Sequence, residues 1–528
     1  MRTLLLYPHF PQTFWSYDEF MKIAGLKAFI PPLGIITVAS MLPSDWSLRF
    51  CDRNVKSESE ADWEWCELVI LSAMMAQKAD FLAQIRKAAR LGKKVAVGGP
   101  YPTSVPQDAL EAGANYLILD EGEITVPQFL QAIEQKQESG IFRATEKPDV
   151  TKSPMPRFDL LQQDDYLWMA VQFSRGCPYQ CEFCDITNLY GRKSRTKKPA
   201  QMLSELQTLY DLGWRGSIFM VDDNFIGNKR NVKLLLRKLV PWMQSHDYPF
   251  TFITEASVDL AQDSELLNLM TQAGFSAVFL GIETPDQDSL EVTKKFQNTR
   301  QPLIEACQII NQAGLLIYAG FIIGFDGEQA GAGQRIQAFV EATSIPQPMF
   351  GILQAIPNTA LWTRLKQEQR LLENITFSDQ NSLMNFIPTR PLAEIAHEYL
   401  EALWEMYEPE NYLRRCLEHC LKVTPNPHLQ QSVHFPRGKA ARLVAQLFWR
   451  QGWQRRDIRA QFWQQLWIIV RTKPHFLNMY LGLCAAGEHF WQYRTLAKER
   501  ITQQLGFDPL EQSLIVEPQS VTASSSFR

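Results

Sequence analysis

The sequence predicts an α/β protein: a doubly wound parallel sheet of Rossmann-like type, then a partial (β/α)6 barrel, then an α-helical C-terminal region. Three observations predict it. Through about residue 140, short apolar runs ended by Gly, Pro or charge alternate with segments of helical periodicity. From about 166 to 385 a second strand–helix series follows, six units of roughly 30 residues each. Beyond about 390 the strand pattern fades and long helical patterns remain. A chain of 528 residues is also too long for a single core.

In the first domain (1–140), "RTLLLYP" is a strand stopped by proline and "LGIITVASML" reads as a helix. "LRFCDRN", "ELVILSAM", "KKVAVGGP" and "NYLILDEGE" are further strands, with helices such as "QKADFLAQIRKAARLG" between them. Strands separated by helices imply parallel pairing, with ligands at the carboxyl ends of the strands. The glycine-bearing turns there are "AVGGPYPTS" (Gly98, Gly99) and "LDEGEIT" (Gly122). Residues 141–165 carry prolines and charge without periodicity and read as a linker. In the barrel domain (166–385), strands are expected at "MAVQFSRG", "SIFMVDDN", "FTFITEAS", "AVFLGIET", "LIYAGFIIG" and "MFGILQAIP". Their ends carry Cys177, Asp222, Asp223, Asn224, Glu255 and Glu283, and barrel chemistry gathers at such ends. A helical domain is expected over 386–515 and a disordered polar tail over 516–528.

Composition narrows the function. With 45% hydrophobic and 21% charged residues, disorder and fibrous classes are excluded. A net charge of -4 gives no overall field for nucleic acid. The start, "MRTLLLYPHFPQTFW", reads as a strand and not as a secretory signal. No apolar run reaches the roughly 18–20 residues of a spanning helix. Cys51, Cys66, Cys307, Cys416, Cys420 and Cys484 are scattered without framework spacing, which fits free thiols in a reducing cytosol. A cytoplasmic location is the expectation.

The remaining cysteines, Cys177, Cys181 and Cys184 in "FSRGCPYQCEFCDI", are spaced C-x3-C-x2-C. Three buried core cysteines at this spacing would be a coincidence. A structural zinc wants four ligands, usually two separated pairs, and no second pair exists. Thiolates holding an iron–sulfur cluster remain, with one iron left open for a ligand. The spacing, with Phe183 directly before the last cysteine and the motif after a first barrel strand, resembles the radical S-adenosylmethionine superfamily. The resemblance implies that the three cysteines ligate a [4Fe–4S] cluster, whose fourth iron S-adenosylmethionine chelates. One electron then cleaves the cofactor to a 5′-deoxyadenosyl radical. It also implies cofactor contacts from Asp222, Asp223 and Asn224, where the family has a GGE-like stretch for the methionyl amine. Two glycines are missing here, which leaves the individual assignment open. Glu255 is expected at the ribose, and Gly281 and Ile282 at the adenine edge, with Glu283 beside them. The competing reading of each lone acid is a cap on the following helix.

A doubly wound domain ahead of such a barrel resembles the cobalamin-binding subclass. "PPLGIITVASML", "LSAMMAQ", "VGGPYPT" and "LDEGEIT" match its recurring segments, and imply cobalamin contacts from Pro32, Gly34, Ser72, Gly98, Gly99, Tyr101, Glu121, Gly122, Glu123 and Thr125. Tyr101 is expected near the corrin face. No D-x-H-x-x-G occurs, so a base-off cobalamin without a histidine ligand is expected. The opening segment, "DRNV" and "NFIPTRP" resemble the hopanoid C-2 methylase branch and its relatives, which implies methylation of an unactivated carbon of a pentacyclic triterpenoid. The rival readings are an oxidative cyclase, or a methylase of another natural product, using the same cofactors, and a cobalamin sensor without turnover. Implied partners are a lipid or other small-molecule substrate and a reductant such as flavodoxin or ferredoxin. Residues 437–473 carry nine Lys or Arg and one Asp among four Trp and two Phe. Peripheral contact with the inner face of a membrane is one reading of that stretch. The other is a helical domain packing its Trp against the barrel mouth, and nucleic acid is disfavoured by its confinement to one segment.

Overall fold

The computed structural model describes residues 1–372, 382–429 and 437–511. The first sheet contains β1 (Arg2–Tyr7), β2 (Ser47–Asp52), β3 (Leu68–Ser72), β4 (Lys94–Gly98), β5 (Tyr116–Ile118) and β6 (Gly140–Phe142). All pairs are parallel, in the order β2-β1-β3-β4-β5-β6. Its strands are apolar on both faces because helices cover both. Leu5, Ile70, Ala96 and Ile118 point one way, while Leu4, Leu6, Val69, Leu71, Val95, Val97 and Leu117 point the other. The first set joins the same core as the barrel, so the sheet is fused to its neighbour by buried apolar surface.

Next come β7 (Met169–Val171), a short antiparallel hairpin of β8 (Ser174–Arg175) and β9 (Arg195–Thr196), then β10 (Gly216–Met220), β11 (Phe250–Ala256), β12 (Phe275–Glu283), β13 (Leu316–Ile323) and β14 (Gln347–Ile352). The six parallel strands run β14-β13-β12-β11-β10-β7, and no pairing between β7 and β14 is seen among the described residues. This is the expected partial (β/α)6 barrel. The hairpin between β7 and β10 carries the three closely spaced cysteines.

Two expectations about boundaries change. The segment expected as a linker begins inside β6, which pairs with β5. Its remainder is stitched to the first domain: Lys27 and Ala28 N–H donate to Asp165 O at 3.0 and 3.1 Å, and the Tyr166 hydroxyl donates to Asp52 at 2.9 Å. Short turns of 3-10 helix without long apolar runs gave the sequence no periodicity to read. The tail expected at 516–528 lies outside the described residues.

After the barrel, helices Leu392–Met406, Pro409–Lys422, Arg437–Trp449, Arg459–Thr472 and Leu477–Leu505 form the helical region. The last of these reaches the N-terminal segment, where His489 Nε2 lies 3.1 Å from the Thr13 and Phe14 carbonyls. That segment is anchored on the barrel, with Tyr17 donating to Gln347 at 2.8 Å and Trp15 ringed by Phe279 at 5.3 Å. Trp449, Trp453, Trp463 and Trp467 do not pack on the barrel mouth; they are 43–66% exposed.

Candidate active site

The cluster loop follows β8 directly. Cys177, Cys181 and Cys184 are partly exposed, whereas the other six cysteines are all buried. Burial and mutual electrostatic repulsion hold the Cys177 and Cys184 thiols above their usual range. Among the described residues no three His, Cys, Asp or Glu are gathered around a single point as one metal ion would hold them. Two carboxamides approach the thiols: Asn224 Nδ2 lies 3.9 Å from Cys177 Sγ, and Gln297 Nε2 lies 3.6 Å from Cys181 Sγ. Buried N–H donors aimed at sulfur suit an anionic cluster better than a neutral thiol. Lys295 is buried beside them, paired with Glu283, and the Cys181 and Cys184 charges favour its cationic form. The donor set thus fits a cubane cluster held by three thiolates.

The carboxylates at the strand ends differ sharply in use. Asp222 accepts from Phe173 N at 2.8 Å, Ser174 N at 2.7 Å and Ser174 Oγ at 2.6 Å. Both of its oxygens are therefore spent on the backbone leading into the cluster loop. The expectation that Asp222 grips an ammonium is corrected accordingly. Asp223 accepts from Gly176 N at 2.7 Å through Oδ2. Burial pushes the Asp222 carboxyl up to about 7 and that of Asp223 up to about 6. Glu255, one strand over, makes no hydrogen bond or ion pair among the described residues. Burial, then repulsion from Asp223, Asp222 and Glu283, raises it to about 8. An acid left unpartnered and facing three others is poised for a cation or a hydroxyl donor.

At the end of β12, Glu283 adopts a left-handed backbone (φ 65) at a bulge and folds back over Gly281. A Cβ at Gly281 would meet Glu283 Oε1 at 2.5 Å and Lys295 Nζ at 2.7 Å, so glycine leaves the room this ion pair occupies. The Gly281 and Ile282 carbonyls both accept from Asn298 Nδ2 at 3.0 Å. Two residues back along each strand, Phe219, Ile253, Phe279, Tyr318 and Met349 face inward. Phe219, Phe279, Tyr318 and Met349 are only partly buried, as are Trp15, Phe29 and Trp168 beside them. This aromatic lumen beneath the strand ends was missed from sequence.

At the carboxyl edge of the first sheet, the glycines serve the fold first. A Cβ at Gly99 (φ 94) would meet Ser72 Oγ at 2.6 Å, and one at Gly98 would meet Ile118 O at 2.8 Å. Gly122 packs on Val38 and Met41. Gly34, in the first turn after Pro32, has open space around it and leaves room for a large ligand. Tyr101 is corrected: its ring is buried against Phe81, and its hydroxyl donates to Asp108 at 2.5 Å, in the core on the sheet's other face. Glu121 and Glu123 are both engaged by arginines of the β8–β9 hairpin. Glu121 binds Arg175 at 2.9 Å and Arg195 at 2.7 Å; Glu123 binds Arg175 at 2.9 Å and accepts from Ser153 at 2.5 Å. Thr125 donates back to Glu121 O at 3.2 Å. The turn thus clamps the first sheet to the β8–β9 hairpin. Gly34 is exposed with open space around it, so this end of the sheet has room for a large ligand. A surface groove of about 490 Å³ lined by Ala39, Ser40, Trp46 and Pro156 holds none of these cysteines or strand-end acids.

A parallel sheet facing a cysteine-bearing partial barrel defines a class, and comparison with known proteins agrees. The radical SAM superfamily matches residues 171–334, a B12 binding domain matches 23–130, and a domain of unknown function (DUF4070) matches 359–503. OxsB, a cobalamin-dependent S-adenosylmethionine radical enzyme, shares the fold with a TM-score of 0.59 at 16% identity, over 96% of this chain and 80% of that one. The methyltransferase TsrM from Kitasatospora setae has a TM-score of 0.56 at 16% identity, over 84% of this chain and 98% of that one. Relatives in sequence include an uncharacterized methyltransferase of Synechocystis sp., 56% identical over 96% of this chain and 94% of its own. The hopanoid C-2 methylase of Rhodopseudomonas palustris is 31% identical over 88% of both chains. The chain belongs to the cobalamin-dependent radical S-adenosylmethionine methyltransferase family. Its cofactors are a [4Fe–4S] cluster, S-adenosylmethionine and cobalamin.

Proposed function

We propose that the protein methylates an unactivated carbon of a polycyclic lipid, with C-2 of a hopanoid as the specific reading. The observation that carries it is the partly buried, inward-facing lining under the strand ends: Trp15, Phe29, Trp168, Phe219, Phe279, Tyr318 and Met349. An apolar, aromatic slot with acids only at its rim suits a rigid hydrocarbon. The likeness to a hopanoid C-2 methylase over most of the chain supports the same substrate class. When bound, the cofactors supply a 5′-deoxyadenosyl radical and a methyl donor. The chain's own work is to hold the cluster through Cys177, Cys181 and Cys184, to receive S-adenosylmethionine against Asp223, Glu255 and Gly281, and to exclude water from the lumen.

Access to such a substrate is supported by the helices Arg437–Trp449 and Arg459–Thr472 and the turn between them. Trp449, Trp453, Trp463 and Trp467 stand exposed near the exposed Arg456 and Arg459, a pattern that suits an anionic membrane surface. No helix among the described residues is long and apolar enough to cross a membrane.

The test is turnover of the reconstituted enzyme with diploptene or a related hopanoid. Methylated product with S-adenosylhomocysteine and 5′-deoxyadenosine together supports the proposal. 5′-Deoxyadenosine without S-adenosylhomocysteine points to cyclase chemistry and refutes it. Cys181→Ala is expected to lose cluster iron and all product while cobalamin still binds.

A further inference from the structure

We propose that the outer face of the cluster loop is the docking surface for an acidic one-electron carrier protein. The loop's tip is exposed at Pro178 and Gln180, and four chain segments crowd around it. Gly227, just before the helix Lys229–Ser245, is seated so closely that a Cβ would meet Pro178 at 3.2 Å and Ser194 at 3.1 Å. The Arg192 guanidinium lies on the Gln180 carboxamide. Arg300 lies within electrostatic range of the Tyr179 side chain. The Thr293 carbonyl accepts from Glu182 N at 3.1 Å, which puts Lys294 beside the loop as well.

These segments carry an excess of positive charge. Arg192, Lys193, Lys198, Arg230, Lys294 and Arg300 are exposed, and among the described residues none has a carboxylate partner within ion-pair distance. Of the acids close by, Glu182 is held by Arg364 and Asp259 by Lys229, while Asp288 and Glu291 stand exposed before Lys294, so the basic residues are in excess and not alone. A net charge of -4 for the whole chain makes this face a local inversion and not a general property. Phe296, 54% exposed, adds one apolar contact within it.

That chemistry selects its partner. Cluster reduction needs an electron from outside the chain, and Cys177, Cys181 and Cys184 are partly exposed within this same loop. Electron-transfer complexes are small, weak and steered by charge, so a basic face with one aromatic matches a carrier with an acidic rim. The step balances simply. A flavodoxin hydroquinone anion gives up one electron and becomes the neutral semiquinone, while the cluster passes from its 2+ to its 1+ level; no proton moves. This rests on the cluster assignment, which a chemical reductant tests separately.

Flavodoxin is the probe. Calorimetric titration into the cofactor-free chain is expected to show binding that weakens about tenfold between low and physiological salt. The triple variant Arg192→Glu, Arg230→Glu, Arg300→Glu should bind at least about tenfold more weakly. Loaded with cluster, it should develop the reduced-cluster resonance correspondingly slowly with flavodoxin hydroquinone, and at the normal rate with titanium(III) citrate. Arg90→Glu, on the first domain, should change neither. If titanium reduction also falls, the loop itself has been disturbed, and the single variants Lys193→Gln and Arg230→Gln decide: each should slow flavodoxin alone by about two- to threefold. Salt-independent binding, or charge-reversed protein reduced by flavodoxin at the normal rate, overturns the proposal.

Discussion

The ends of β10 and β11 lie side by side in the barrel, and both carry acids, yet they do opposite things. Asp222 is enclosed and fully bonded by the backbone at 173–174, so its charge is consumed in shaping the cluster loop. Glu255 has no such partner and stays poised at the same rim, raised to about 8 by burial and its acidic neighbours. Two carboxylates at equivalent strand ends are thus a strut and a receptor. The difference is made by what the next segment offers: β10's neighbour is a loop with free N–H groups, and β11's neighbours are other acids.

The strongest way to break this comparison is Asp222→Ala. It strands two buried N–H donors and a hydroxyl, which costs about 3 kcal/mol. The cofactor-free chain should lose that stability in denaturant titration, and cluster iron per chain should fall severalfold. Unchanged iron content would make Asp222 no strut. Glu255→Gln should act in the other sense. Thermal stability and iron content are retained, while KM for S-adenosylmethionine rises about tenfold, as loss of one charge-assisted hydrogen bond predicts. A variant with normal KM would remove Glu255 from the cofactor site.

What was legible from sequence follows the range of the interactions. The three cysteines lie within eight positions and the strands are continuous apolar runs, so both are written locally. The partners of Asp222 lie 48 and 49 residues away, and those of Glu121 lie 54 and 74 away, so neither strut nor clamp leaves a local mark. Glu121 and Glu123 therefore read as ligand contacts, while their interdomain ion pairs go unseen. Tyr101 read as a corrin neighbour because it follows a glycine turn, but the turn feeds the helix Pro100–Ser104, which rolls the ring inward. The lumen residues Phe219, Phe279 and Tyr318 obey period two, but a sheet covered on both faces alternates apolar with apolar, and the inner face cannot be told from the outer.

The contrast also has a pH signature. The folded-state affinities of Glu255, Asp222 and Asp223 for a proton all exceed their ordinary values, so the folded chain binds protons that the unfolded chain has lost. Their contribution is fully present below about pH 4 and is lost as pH rises through 6 to 8. Differential scanning calorimetry of the cofactor-free chain should show melting temperature falling across that window. Glu255→Gln should flatten its upper part, near pH 7 to 8. A melting temperature rising with pH there would contradict the poised acid.

The smallest effect expected separates the two roles within one residue. Asp223 accepts from Gly176 N through Oδ2, and its other oxygen has no partner among the described residues, so it is half strut and half receptor. Asp223→Asn keeps an acceptor for Gly176, and stability should stay within about 0.5 kcal/mol. The lost charge should still raise KM for S-adenosylmethionine by a few fold if the free oxygen meets the cofactor's cationic amine. Asp222→Asn makes the paired measurement. There the amide must set a donor against the N–H groups of Phe173 or Ser174, so stability should fall while KM of the surviving enzyme stays put. Equal responses from the two asparagine variants would mean that both acids serve the loop alone, and that Glu255 is the receptor at this rim.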